Sequence, residues 1–176
     1  DESTFRKIRR EIYRNGHYRE IVVIELLRHA LRISSIINLK LENVHIKERN
    51  SYIIVYAKQK MRKVPINPDC RDAIKKYLEI RKNIKTPYDN LILSERKAPY
   101  SRSGIWKIIK KFCIKANVDT DISPHTFRHY AIKKLVDDGI NLTVIANLVG
   151  HSSIQLLSDV YAVPTDEDKE KAVKHL

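Results

Sequence analysis

A chain of 176 residues, 43% hydrophobic and 31% charged, has the balance of a single globular domain with a core of its own. No run is long and apolar enough to span a membrane, the N-terminus lacks the apolar core of a signal peptide, and Cys70 and Cys113 have no C-x-x-C partner, so a membrane span, a disulfide framework and a zinc ribbon are not expected; a cytoplasmic protein with two reduced core thiols is. The formal net charge of +13 points to a polyanionic partner, nucleic acid before the bland alternative of a solvated basic surface, and the spread of the cations along the chain argues against a membrane-surface helix.

The chain begins at Asp1 and its sole methionine is Met61, which suggests a segment processed or cut from a longer protein. Ser3 to Asn15 reads as a polar, basic helix stopped by Gly16. His17 to Ile36 is a longer helical region with a break near Arg32, and Ile21, Ile24, Leu27 and Leu31 recur at core-facing spacing. Arg32 is thereby expected in a helix and facing inward, although an isolated arginine on an apolar face commonly just snorkels its head to water.

From Val44 to Ile66 the period changes to two. Val44, Ile46, Ile53, Val55 and Tyr56 suggest short antiparallel strands joined around Lys47 to Asn50 and around Lys58 to Arg62. The second loop region gathers Lys58, Lys60, Arg62 and Lys63, either as a charged tip that discourages edge pairing or as a basic finger for DNA. Asn67-Pro68-Asp69 signals the start of a helix running to about Lys82, with Ala73, Ile74, Tyr77 and Leu78 as its buried stripe. Thr86 to Pro99 is a loop region holding one apolar run, Leu91 to Leu93. Ser101 or Ser103 caps the next helix, in which Ile105, Ile108, Ile109 and Phe112 face the core, Lys107, Lys110 and Lys111 face out, and Trp106 is core or interface.

Ser123-Pro124 then opens a helix, serine as N-cap and proline as first residue, which puts His125 and Arg128 on one face of the first turn. Free N–H groups and the positive end of the helix dipole favour an anion there, and the imidazole and guanidinium add donors; a phosphate is the expected ligand. Gly139 stops this helix and Asn141 caps the next, where Leu142, Ile145 and Leu148 form an apolar stripe ending at Gly150. His151 follows directly, and Tyr161 stands ten residues later. Thr165 to Leu176 reads as a capped polar tail helix. Helices dominate throughout, so the fold class is mainly α with a small antiparallel β-sheet or hairpin. His125 and His129 have the four-residue spacing of zinc-binding histidines, but no Glu follows His125 and no third ligand is evident; no metal or other cofactor is expected, and His129 is read as structural.

The order His125-x-x-Arg128, Leu148-x-Gly150-His151 and Tyr161 resembles the C-terminal signature of the tyrosine recombinases, the phage integrase family. Ala30-Leu31-Arg32-Ile33-Ser34-Ser35 matches the helix that carries the family's first arginine, and Lys58 to Pro65 matches its lysine-bearing hairpin ahead of a Val-Pro pair. The family pattern has a carboxylate three residues after that arginine, where Ser35 stands here. The resemblance covers essentially the whole chain, residues 1–176, as a catalytic domain, and implies an N-terminal core-binding domain in the longer protein that closes a C-shaped clamp on double-stranded DNA.

It implies a site-specific recombinase or integrase of a mobile element that breaks and rejoins strands through a 3′-phosphotyrosine. The implied catalytic set is Arg32, Lys58, His125, Arg128, His151 and Tyr161, with Lys60, Arg62 and Lys63 as DNA-binding residues. Tyr161 is the nucleophile, Arg32 and Arg128 grip non-bridging oxygens, His125 and His151 supply hydrogen bonds or proton transfer, and Lys58 protonates the leaving 5′ oxygen, with Lys60 the other candidate. A monomer in solution and a tetramer on synapsed DNA are implied, the tail from Thr165 to Leu176 packing on its own body or on a neighbour. A type IB topoisomerase uses similar residues, and a degenerate relative would only grip DNA; the Leu-x-Gly-His turn, the compact hairpin and the intact residue set favour a recombinase.

Overall fold

A computed structural model of the chain describes residues 2–57, 60–119, 121–150 and 166–174. Two compact units divide it at residues 131 and 132, inside one helix. The first contains helices α1 (Glu2–Asn15), α2 (Tyr18–Arg28) and α3 (Ile33–Ile37), a 3-10 turn at Leu41–Asn43, strands β1 (Val44–His45), β2 (Tyr52–Ala57) and β3 (Lys60–Pro65), helices α4 (Pro68–Arg81) and α5 (Arg102–Lys115), and the start of α6 (Pro124–Asp137). The second holds the rest of α6, then α7 (Leu142–Val149) and α8 (Asp166–Val173). The class is mainly α with one three-stranded antiparallel sheet in the order β1-β2-β3, as expected. No helix among the described residues is long and apolar enough to cross a membrane.

The core of the first unit forms around α2, in which every residue from Glu20 to Leu27 is buried. α1 and α4 pack against it, so its expected one-sided stripe of Ile21, Ile24 and Leu27 widens to the whole circumference. α1 is less polar in its packing than its composition suggests: Phe5, Ile8 and Ile12 are buried at helical spacing, each such side chain worth roughly 1.5–3 kcal/mol of removal from water. Gly16 ends α1 because its N–H bonds the Ile12 carbonyl at 2.7 Å, and an added Cβ would lie 2.5 Å from that same oxygen. α5 buries Ile105, Ile108, Ile109, Phe112 and Cys113, while Trp106 stays partly exposed.

The caps are those read from the sequence. The side-chain oxygen of Asn67 accepts the Cys70 N–H at 2.9 Å, and Ser101 rather than Ser103 caps α5, its hydroxyl accepting the Gly104 N–H at 3.0 Å. Asn141 accepts the Thr143 N–H at 2.9 Å, and Gly139, at φ 73°, supplies the left-handed turn after α6. Within α7, Ile145 and Val149 are buried and Leu142 is exposed, so the stripe is set by i, i+4 spacing instead of running from Leu142 through Leu148.

Two expectations about the future site are corrected. The helical region His17 to Ile36 is broken before Arg32: α2 ends at Arg28, Ala30 takes a left-handed φ of 55°, and Arg32 lies in extended backbone as the N-cap of α3. A right-handed helix cannot continue through a left-handed residue, so Arg32 sits at a helix entrance. The hairpin is also tighter than expected. Ala57 pairs with Lys60, Val55 with Arg62 and Ile53 with Val64, so Lys60, Arg62 and Lys63 are strand residues of β3. Strand alternation then puts Lys60 and Arg62 on the face of buried Val64, and Lys63 on the other, where its ammonium lies 4.1 Å from the Tyr52 ring centroid.

Candidate active site

Arg128 is placed by α6. The Ser123 hydroxyl accepts the Thr126 N–H at 3.1 Å, and the Ser123 N–H donates to the Thr126 hydroxyl at 3.1 Å, which fixes the start of the helix. One turn on, the Phe127 ring meets Phe5 edge-on at 4.8 Å between centroids, and Phe5 stacks on Tyr130 at 4.0 Å, anchoring this end of α6 to α1. With Phe127 locked, Arg128 is aimed into the unit, 4% exposed, and its guanidinium donates to the carbonyl of Ala30. That carbonyl belongs to the left-handed turn that leads into Arg32. The first and second arginines of the expected set are therefore joined through two residues of backbone.

Arg62 arrives at the same place from β3, opposite Val55 and two residues before Val64. Both of its terminal guanidinium nitrogens are buried, and neither meets a hydrogen-bond partner among the described residues. Burial first, then the positive charges of Arg32 and Arg62, pull the Arg128 guanidinium down to about 10. Burial and the charge of Arg32 likewise hold Arg62 below the ordinary arginine range. Three guanidiniums from a helix entrance, a strand and a second helix therefore repel one another at one site. Such a cluster suits an anion with several acceptor oxygens.

Placement of the other expected residues follows from the same elements. His125 is exposed on the first turn of α6, and His129 is half-buried on it. Lys60 is exposed at the start of β3, on the Arg62 face. Ser35, at the position where the family pattern has a carboxylate, is buried in α3. Lys58, His151 and Tyr161 lie outside the described residues. Sequence reasoning assigned Arg62 only to general DNA binding; the signal that could have placed it was its even spacing from buried Val64. Among the described residues no group of His, Cys, Asp and Glu is arranged to hold a metal ion.

Surface cavities among the described residues include one of about 680 Å³ beside Glu48, Tyr52 and Arg71, one of about 730 Å³ beside Arg19, Tyr100 and Lys111 and one of about 380 Å³ beside Ile46 and Lys75; none of these is lined by the three arginines. A phosphate on the outside of a duplex needs no enclosed pocket, and charge and geometry identify the site better than concavity does.

The phage integrase family profile matches residues 7–168. The chain is 36% identical over 145 residues to the tyrosine recombinase XerD of Staphylococcus saprophyticus subsp. saprophyticus, covering 80% of this chain and 48% of that protein. It is 32% identical over 149 residues to the XerD of Staphylococcus epidermidis, covering 82% and 50%. The chain thus spans about half the length of the curated relatives it matches. Its fold superposes on the crystal structure of XerA recombinase with a TM-score of 0.82 at 23% identity, covering 99% of this chain and 64% of the other. For the XerH site-specific recombinase bound to its difH substrate in a pre-cleavage complex, the TM-score is 0.80 at 16% identity, covering 93% and 49%. The gathered arginines, the hairpin and the extent of these matches lead to one assignment: the chain belongs to the phage integrase family.

Proposed function

We propose that this chain is the catalytic part of a site-specific tyrosine recombinase acting on double-stranded DNA. The observation that carries the reading is the convergence of Arg32, Arg62 and Arg128, which are remote in sequence and mutually repulsive. A phosphodiester neutralises such a gathering of like charge, and its oxygens accept from several guanidiniums at once. The XerD relatives and the DNA-bound XerH structures support the substrate class.

The chemistry is a pair of transesterifications. The phenol oxygen of Tyr161 attacks the scissile phosphorus, the bond to the 5′ oxygen breaks, and Lys58, or Lys60 in its place, gives that oxygen a proton. A 3′-phosphotyrosine results. A 5′ hydroxyl then attacks the same phosphorus, the tyrosine oxygen leaves, and the diester is restored with its energy kept. Arg32 and Arg128 hold the non-bridging oxygens and stabilise the charge that grows on them in each transition state. His125 and His151 donate hydrogen bonds or move protons at the phosphate and Tyr161. The chain works as a monomer in solution, a tetramer on synapsed DNA, in the cytoplasm, with the segment 165–176 available for exchange between neighbours and an N-terminal clamp domain in the longer protein.

The test is covalent capture. A pool of duplexes with randomised core sequence and a nick just beyond the cleavage position loses the short fragment that carries the new 5′ hydroxyl on cleavage, which traps the intermediate. Wild-type protein is expected to give a denaturant-resistant protein–DNA adduct, and Tyr161→Phe none, with DNA binding retained because only a hydroxyl is removed. An undiminished adduct from Tyr161→Phe, or none from wild type across the pool, would overturn the reading.

A further inference from the structure

Arg62 differs from the other charged side chains of the first unit. It is the described residue with buried side-chain nitrogens that lack a hydrogen-bond partner, and it has two of them. A guanidinium buried this way is normally selected against, because its lost hydration goes uncompensated and the neighbouring Arg32 charge adds repulsion. The backbone sets its direction here. Arg62 is held in register opposite Val55, with Val64 buried beside it on the same face, so its side chain starts out toward the inner side of the sheet. Lys63, one position on, faces the other side and has the Tyr52 ring as its neighbour. A chain that needed only general basicity in this hairpin already has it at Lys60 and Lys63, both exposed.

We propose that Arg62 is a further catalytic residue, whose two terminal nitrogens bind the same phosphodiester group as Arg32 and Arg128. The proposal rests on the recombinase reading and deepens it: Arg62 acts on the scissile phosphate itself, not on the flanking backbone. Its planar fork arrives from the sheet, the direction that neither the α3 entrance nor α6 supplies. With phosphate bound, both Arg62 nitrogens gain acceptors and its cation gains a counter-charge.

The experiment compares wild type with Arg62→Met, which keeps the length and apolar stem and removes the charge. The Met variant is expected to melt at a higher temperature in chloride buffer, since an unpaired buried cation is exchanged for an apolar side chain. The rise in melting temperature that inorganic sulfate gives wild type at constant ionic strength is expected to shrink in the variant. Covalent adduct formation on the captured nicked duplex is expected to slow by about a hundredfold or more, as for loss of one donor to a developing oxyanion. With a methylphosphonate at the scissile position there is one less charge to neutralise, and the gap between variant and wild type is expected to narrow. A variant that melts lower, keeps the full sulfate response, cleaves at the wild-type rate, or shows the same deficit on methylphosphonate would overturn the proposal. Should wild type form no adduct at all, the recombinase reading fails, and the melting and sulfate measurements still decide whether Arg62 is an anion ligand.

Discussion

The first unit buries arginine-rich chemistry in two manners. Around Glu25, which is wholly buried, the accounts of hydrogen bonding close: Arg9 Nε donates at 2.8 Å, the Tyr13 hydroxyl at 3.0 Å and Arg28 Nη1 at 2.7 Å. Burial and the Glu25 charge push the Tyr13 hydroxyl up to about 12, so it stays a donor at any ordinary pH. Arg81, 5% exposed, is satisfied without any carboxylate, by the carbonyls of Tyr88 at 2.7 Å and Asn90 at 3.0 and 3.1 Å. Around Arg32, Arg62 and Arg128, like charges gather and the Arg62 nitrogens go unmatched among the described residues. The same chain that satisfies Glu25 and Arg81 leaves the Arg62 nitrogens to a ligand, and that difference separates support from chemistry.

The contrast can be broken most severely at Glu25. Glu25→Ala takes their shared acceptor from Arg28, Arg9 and the Tyr13 phenol, of which Arg9 keeps Asp69 at 2.7 Å. Removing one member of a buried pair commonly costs 3–5 kcal/mol, but the Arg9 and Arg28 side chains are 31% and 35% exposed and can turn partly to water, so a loss of about 2–3 kcal/mol in urea unfolding is expected. A loss below about 1 kcal/mol would mean the network is no more than a surface ion pair.

A second substitution sharpens the contrast by its sign. Arg81→Met deletes three charge-assisted hydrogen bonds and leaves the Asn90 carbonyl short of donors, so a destabilisation of about 2 kcal/mol is expected. Arg62→Met, chemically the same change at a buried arginine, is expected to move stability the other way. Measured side by side by urea unfolding, two shifts of the same sign would erase the distinction drawn between the sites.

What could be read from the sequence tracks the range of the forces involved. The Asn67, Ser101 and Asn141 caps, the Gly16 and Gly139 stops and the α5 core stripe were legible because each is fixed within four residues. Arg32 was expected in the site but placed in a helix, and the turn that removes it from α2 is held by Arg128, 98 positions away. No local pattern encodes that. Arg62 was expected among DNA-binding cations of a loop; carrying the period of two back from Val64 would have set it on the inner face, but four cations in six residues mask a strand signal. Most of the Glu25 network was invisible for the same reason as the Arg32 turn, since two of its three donors, Arg9 and Tyr13, come from a helix met only through packing.

The smallest expected effect lies at the edge of the Glu25 network, in His29. Its Nε2 accepts the Asn67 N–H at 3.1 Å, so that nitrogen is bare and the proton sits on Nδ1, which donates to the Glu25 carbonyl at 2.7 Å. The neutral ring thus ties the end of α2 to the cap of α4. Burial first, with the Arg28 charge adding to it and Glu25 opposing, holds the His29 pKa below its ordinary value of about 6.5. A base depressed in the folded state takes its proton first in the unfolded one. Between about 6.5 and the lower folded value the unfolded chain therefore binds more protons, and stability falls as pH falls through that window, while above it this group contributes no slope. Protonation would also set an Nε2–H against the Asn67 N–H and release the α4 cap from α2. Urea midpoints followed downward from neutral pH are expected to decline for wild type and to decline less for His29→Gln, which starts lower because no single rotamer of glutamine meets both Glu25 and Asn67. Equal pH slopes in the two proteins would show that His29 titrates alike folded and unfolded, and that the closed hydrogen bonding around Glu25 ends before it reaches this ring.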